Sequence, residues 1–187
     1  MSRTASSNFP VDTGQFLPGR RRVGSCEWGR GHSRFLPLLF VYMNDSKNKK
    51  IVFIPGLGER AKDYNSLSAH MKVFNIDWNK IRLPRGRIDI LVGFSMGAAL
   101  ACEYAEEHKV DTIILCSLTP SIDTLRGLKV KKAFFILGEK EKWAYKNNAR
   151  LSKTLKCRSE IIVIPGAGHK IVGNYRKKLL ETLRNLK

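Results

Sequence analysis

From residue 49 onward, short apolar runs alternate with segments of helical periodicity. Ile51–Pro55, Val73–Trp78, Arg87–Phe94, Thr112–Cys116, Lys131–Leu137 and Ile161–Ile164 are four to eight residues long and rich in Ile, Val, Leu and Phe. Runs of that length and composition predict strands buried on both faces, as in a parallel sheet. Between them, Tyr64, Leu67 and Met71 mark a helix over Arg60–Met71, and a small-residue stripe (Ala98, Ala99, Ala101, Ala105) marks another reaching about His108. Two more are predicted over Trp143–Lys156 and Ile171–Leu186, the last with Val172, Tyr175, Leu179, Leu183 and Leu186 on one stripe that packs on the sheet. Strands and helices in alternation predict an α/β domain, a mostly parallel sheet of about six strands flanked by helices. One connection conflicts with this pattern. Trp78 to Arg87 is too short for the usual crossover helix, so either that helix shrinks to a turn or the strand boundaries lie elsewhere.

The third run leads into the most informative stretch, Ile90-Leu-Val-Gly-Phe-Ser-Met-Gly-Ala-Ala-Leu-Ala101. A strand breaks at Gly93-Phe94-Ser95-Met96-Gly97 and a helix follows at once, which is Gly-x-Ser-x-Gly in the strand–turn–helix setting of a nucleophile elbow. A serine on so sharp a turn needs neighbours without bulk two residues away on each side. The bare pattern is common and carries little weight alone. Three other strand ends add to it: Pro55-Gly-Leu-Gly58, Gly138-Glu-Lys-Glu141 and Pro165-Gly-Ala-Gly-His169. Loops that leave the carboxyl ends of parallel strands gather on one edge, where open α/β sheets bind ligands.

With serine, acid and histidine in that order, residues 50–187 resemble the α/β-hydrolase family. The resemblance implies a serine hydrolase acting through an acyl-enzyme on a small-molecule ester or thioester, with Ser95 as nucleophile and no metal or cofactor. His169 is the candidate base, because His32 lies in the N-terminal segment while His70 and His108 fall late in helices. The family's acid sits three residues after a strand-end glycine, which points to Glu141; Glu139 and Asp123 are the alternatives. Oxyanion donors would be the Met96 amide and the Leu57 amide, with Pro55 standing where relatives often carry histidine before glycine. Only residues 117–130 occupy the position where many relatives insert a cap domain, so a minimal, open site is expected. An amidase, peptidase or acyltransferase could use the same triad, and a noncatalytic binding protein could keep the fold; competent residues at every triad position argue against the last.

Composition alters this picture at the N-terminus. Residues 1–42 hold six arginines and no lysine, whereas the remaining 145 hold 19 lysines and nine arginines. A single lysine-to-arginine preference would give that outcome roughly once in a thousand, so a boundary is expected near residue 42, with the hydrolase domain over 43–187. The Arg-rich segment reads as a disordered tail, as a targeting segment, or as residues upstream of a true start at Met43; the last is preferred because the Lys/Asn-rich style begins there. The whole chain carries a net charge of +18, and the domain without this segment still carries +14. Those lysines are dispersed and accompany no nucleic-acid-binding motif, so a solvated basic surface is expected rather than a specific nucleic-acid partner. The four cysteines show no paired metal spacing, and Cys102 and Cys116 read as small core residues. No run approaches the ~20 apolar residues of a membrane span. A reducing, cytoplasmic setting is the expectation.

Overall fold

The computed structural model describes residues 49–118 and 127–186. The boundary expected near residue 42 and the alternative acid Asp123 lie outside them. Six parallel strands form one sheet: β1 (Ile51–Ile54), β2 (Lys72–Val73), β3 (Ile88–Phe94), β4 (Val110–Cys116), β5 (Val130–Gly138) and β6 (Arg158–Ile164). Their order across the sheet is β2-β1-β3-β4-β5-β6. The register aligns Ile54 with Gly93, Gly93 with Leu115 and Leu115 with Phe135, while β5 and β6 run on past this row to pair Gly138 with Ile164. All six strands therefore release their loops at one edge.

Successive residues of each strand feed opposite cores, which is why the runs read as continuously apolar. Val52, Leu91, Ile113, Leu115 and Phe135 meet α2 (Met96–Glu107), whose Ala98, Ala101 and Ala105 allow close approach; Leu151 of α3 (Lys142–Thr154) packs on the same side. Phe53, Ile90, Val92, Ile114 and Ile136 meet Leu67 of α1 (Asn65–Ser68) and Tyr175, Leu179 and Leu183 of α4 (Gly173–Arg184). Cys102 and Cys116 are fully buried in these cores, as read from the sequence, and both are free thiols.

Three expectations need correction. The helix expected over Arg60–Met71 is a 3-10 turn at Ala61–Tyr64 followed by a single α-turn, so only Tyr64, Leu67 and Met71 keep their burial. The strand expected over Val73–Trp78 is the two residues Lys72–Val73, extended by one bond from the Phe74 N–H to the Phe53 carbonyl. Asp77 then turns the chain: its side chain accepts the Asn79 N–H and its carbonyl the Lys80 N–H. Residues 74–87 thus cross over β1 to β3 as irregular chain rather than as a helix, anchored by Ile76 with Phe74, Trp78 and Leu83 on the α2 side. Finally, Val172 leaves the stripe of α4. It is the residue before the helix and stands 64 % exposed.

Candidate active site

The turn after β3 is built by exclusion. Ser95 sits at φ 53°, ψ −119°, a left-handed conformation that costs an ordinary residue about 1–3 kcal/mol. Its N–H is tied to the Cys116 carbonyl at the end of β4 (2.9 Å). A β-carbon on Gly93 would lie 2.4 Å from the Gly97 carbonyl oxygen, and one on Gly97 would lie 2.2 Å from the Pro55 oxygen. Both obstacles are backbone. Gly97→Ala should therefore destabilise the fold by about 3 kcal/mol or more, read by urea denaturation, because the elbow and the end of β1 must separate.

The loops after β5 and β6 are laced to each other. Glu139 N–H donates to the Ile164 carbonyl (2.9 Å), Lys140 N–H to the Ala167 carbonyl (3.0 Å), and Gly166 N–H to Glu139 Oε2 (2.8 Å). Gly138 permits this approach, since a β-carbon there would sit 2.6 Å from the Ala167 oxygen. The lacing delivers His169 over the elbow: its Nε2 lies 2.9 Å from Ser95 Oγ and its Nδ1 lies 2.5 Å from Glu141 Oε1. Facing a carboxylate, Nδ1 carries the proton, and Nε2 is left to accept from Ser95. The Phe94 ring lies 5.0 Å from the imidazole and the Trp143 ring 6.2 Å, flanking it with aromatic surface.

Of the two neighbouring glutamates, Glu141 is the one beside His169. It is 2 % exposed, and its arm folds back so that Oε2 accepts the Gly138 N–H (2.7 Å). Glu139 is exposed and spends its carboxylate on Gly166, steadying the loop that carries the histidine.

Two supporting residues escaped the sequence reading. Ser117 Oγ donates to Glu141 Oε2 (2.7 Å) and touches Tyr175 Oη (2.9 Å), which donates to the Ile136 carbonyl (2.6 Å). Ser117 is itself at φ 49° and fully buried. Burial drives the Tyr175 phenol well above its ordinary range, so it stays a hydroxyl in this network. Burial likewise raises the adjacent Cys116 thiol; its hydrogen bond with Tyr175 opposes that rise and the Glu141 charge adds to it, and a thiol held in that form is no rival nucleophile. Ser117→Ala and Ser117→Gly both remove one hydrogen bond from the Glu141 carboxylate, and each should lower any turnover that depends on His169 about ten- to hundredfold. Only the glycine variant relieves the positive φ, so it should be the more stable of the pair in urea.

The loop after β1 forms a tight turn, with Glu59 N–H returning to the Gly56 carbonyl (3.1 Å) and Gly58 at φ 76°. Glu59 Oε2 braces it, accepting the Gly56 N–H (2.7 Å) and the Tyr64 hydroxyl (2.5 Å). Burial first, and then the bond to Glu59, keep that phenol protonated. The Leu57 N–H in this turn and the Met96 N–H at the start of α2 have no acceptor among the described residues. Beside His169 opens a cleft of about 510 Å³ lined by Lys140, Pro165, Lys170, Val172 and Asn174 among others. A cavity of about 600 Å³ at the opposite edge, between Arg87, His108 and Lys131, touches none of these residues.

No family model matches the chain, and no curated protein sequence does. Solved structures do match. The esterase PE8 shares 16 % identity at a TM-score of 0.54, over 74 % of this chain and 93 % of that one. A phospholipase/carboxylesterase from Dyadobacter fermentans shares 18 % at 0.51, over 73 % and 90 %. An α/β serine hydrolase homologue from Coxiella burnetii shares 14 % at 0.50, over 75 % and 86 %. The fold is the α/β-hydrolase fold. At such identities the likeness speaks for architecture, and the chemistry must be argued from this chain's own side chains. In this α/β-hydrolase fold the described residues include no helix long and apolar enough to cross a membrane.

Proposed function

We propose that the chain is a serine hydrolase that cleaves a carboxylic ester or thioester through an acyl-enzyme. The observation that carries this reading is the continuous hydrogen-bonded path Glu141–His169–Ser95. It joins residues far apart in sequence, at the carboxyl edge of the sheet, beside the Leu57 and Met96 N–H groups, which have no acceptor among the described residues.

In the proposed reaction Ser95 Oγ attacks the acyl carbon while its proton passes to His169 Nε2. The carbonyl oxygen takes up the displaced electron pair as an oxyanion, held by the Leu57 and Met96 N–H groups. Glu141 keeps the imidazole oriented with Nδ1 protonated and offsets the imidazolium charge. As the tetrahedral intermediate collapses, the imidazolium proton goes to the departing alkoxide or thiolate, leaving the acyl group on Ser95. Water then attacks that ester, His169 again takes the proton, and Ser95 leaves as the hydroxyl with the carboxylic acid as product.

The same groups would serve an amidase, a peptidase or an acyltransferase, which differ in leaving group and acceptor. A series of chromogenic esters, thioesters and anilides followed by stopped-flow tests the reading. A burst of leaving group stoichiometric with enzyme, for esters or thioesters but not anilides, is the expected result. Turnover of anilides at comparable rate would move the assignment to an amidase, and turnover of none of the three classes would leave a noncatalytic binding protein.

A further inference from the structure

Four large apolar side chains surround the proposed nucleophile and remain in solvent. Leu57 is 64 % exposed in the turn that offers an oxyanion donor; Met96, 38 % exposed, adjoins Ser95; Trp143, 49 % exposed, has its ring 6.2 Å from His169; Val172, 64 % exposed, lines the His169 cleft. A water-facing edge of a soluble domain gains nothing from such residues, and apolar side chains gathered around a reactive centre mark a surface that something else covers. The segment 117–130 is far shorter than a cap domain, and none of these four side chains is covered by the described residues.

Charge on this edge is distributed unevenly. Arg60, Lys62, Lys140, Lys142, Lys146 and Lys170 are exposed, and none forms an ion pair among the described residues. The carboxylates in the same loops are fewer and are engaged by neighbouring groups; Asp63 and Glu139 are exposed, and Asp63 accepts the Arg60 N–H. Glu59 is engaged by Gly56 and Tyr64, Glu139 by Gly166, and Glu141 by His169, Ser117 and Gly138. The rim therefore combines apolar side chains at its centre with unpaired cations around them. A tryptophan beside lysines is well suited to a headgroup boundary, where the indole ring sits at the interface and the ammonium groups meet phosphate.

We infer that the carboxyl edge of the sheet docks on an anionic lipid surface, with Leu57, Met96, Trp143 and Val172 entering the headgroup layer, so that the acyl group reaching Ser95 comes from the lipid phase. Its link to substrate rests on the hydrolase reading, but docking itself does not require turnover.

The test uses the full chain as the Ser95→Ala variant with sucrose-loaded vesicles, at about 0.1 M salt, where the screening length is about 10 Å. Vesicles of phosphatidylcholine with about 30 mol % phosphatidylglycerol should sediment the protein, and pure phosphatidylcholine should hold much less of it. Trp143→Ser with Val172→Ser should weaken partitioning about tenfold or more. Lys109→Glu with Lys129→Glu, at the opposite edge and beyond the screening length, should change it less than about twofold. Brominated phosphatidylcholine should quench tryptophan emission in the bound protein, and Trp143→Phe should remove that quenching. If the two pairs of substitutions weaken binding equally, or the protein sediments without quenching, its adhesion is a diffuse effect of net charge and the inference fails. It fails too if ultracentrifugation in the absence of lipid shows a dimer that shields Trp143, because the rim is then an interface between two copies. Since none of these measurements reads hydrolysis, an inactive but lipid-bound protein would overturn the proposed function alone.

Discussion

Ser95→Ala should abolish ester hydrolysis to within the background left by binding and oxyanion stabilisation, a fall in kcat of about 10⁶ if the triad acts as a unit. The protein should remain folded. Ser95 is partly exposed, and its removal leaves the Gly93 and Gly97 contacts untouched, so its urea midpoint should stay close to that of the parent chain. His169→Ala should cost a similar factor, because without the base the hydroxyl is a poor nucleophile. The double variant should be no worse than either single one; groups that act on one proton transfer are not additive. Steady-state hydrolysis of a chromogenic ester by the three variants checks all of this.

Glu141→Gln should lower kcat/KM by about 10⁴, whereas Glu139→Gln should leave it within about threefold. Three donors converge on Glu141: the Ser117 hydroxyl, the Gly138 N–H and His169 Nδ1. A glutamine presents one acceptor oxygen and an NH₂ group, so at least one donor would face another donor. The imidazole can escape by switching tautomer, accepting from the amide at Nδ1 and placing its proton on Nε2. It then cannot take the proton of Ser95. At position 139 the amide oxygen can still accept the Gly166 N–H, so that loop keeps its tie. Measuring kcat/KM and urea stability together separates the two effects: a large loss at 139 with none at 141 would transfer the acid's role to Glu139.

What the sequence revealed of this site was what local signals encode. The elbow is a five-residue pattern inside a strand–helix boundary and needs only the neighbouring chain; the preference for Glu141 over Glu139 and Asp123 came from the resemblance, which sets the acid three residues after a strand-end glycine. The order of the strand ends then brings His169 to the same edge by topology. The residues that were missed act across distance. Ser117 reaches Glu141 over 24 positions and Tyr175 over 58 reaches Ser117, contacts that neither periodicity nor composition encodes. Tyr175 was read as an ordinary member of the α4 stripe, which it also is. A Gly-x-Gly-Glu turn followed five residues later by tyrosine carries the only sequence trace of the Glu59 brace. Helix α1 and strand β2 came out shorter than their patterns because Leu67 and Met71 are buried by tertiary packing without needing a full helix, and because the turn at Asp77 takes the chain off the sheet edge. Val172 fits the apolar period of α4, but the helix begins after it, so period alone assigned it to the core.

The central claim, an activated serine at position 95, is tested most directly by a fluorophosphonate probe with mass-spectrometric location of the adduct. Such a reagent reacts with a serine hydroxyl that a base has activated and phosphonylates it, releasing fluoride. One phosphonyl group per chain, on the peptide containing Gly93-Phe94-Ser95-Met96-Gly97 and lost in both Ser95→Ala and His169→Ala, is the predicted result. Labelling of the Ser95→Ala protein at the parent's rate, or an adduct on Ser117 or any other residue, would contradict it.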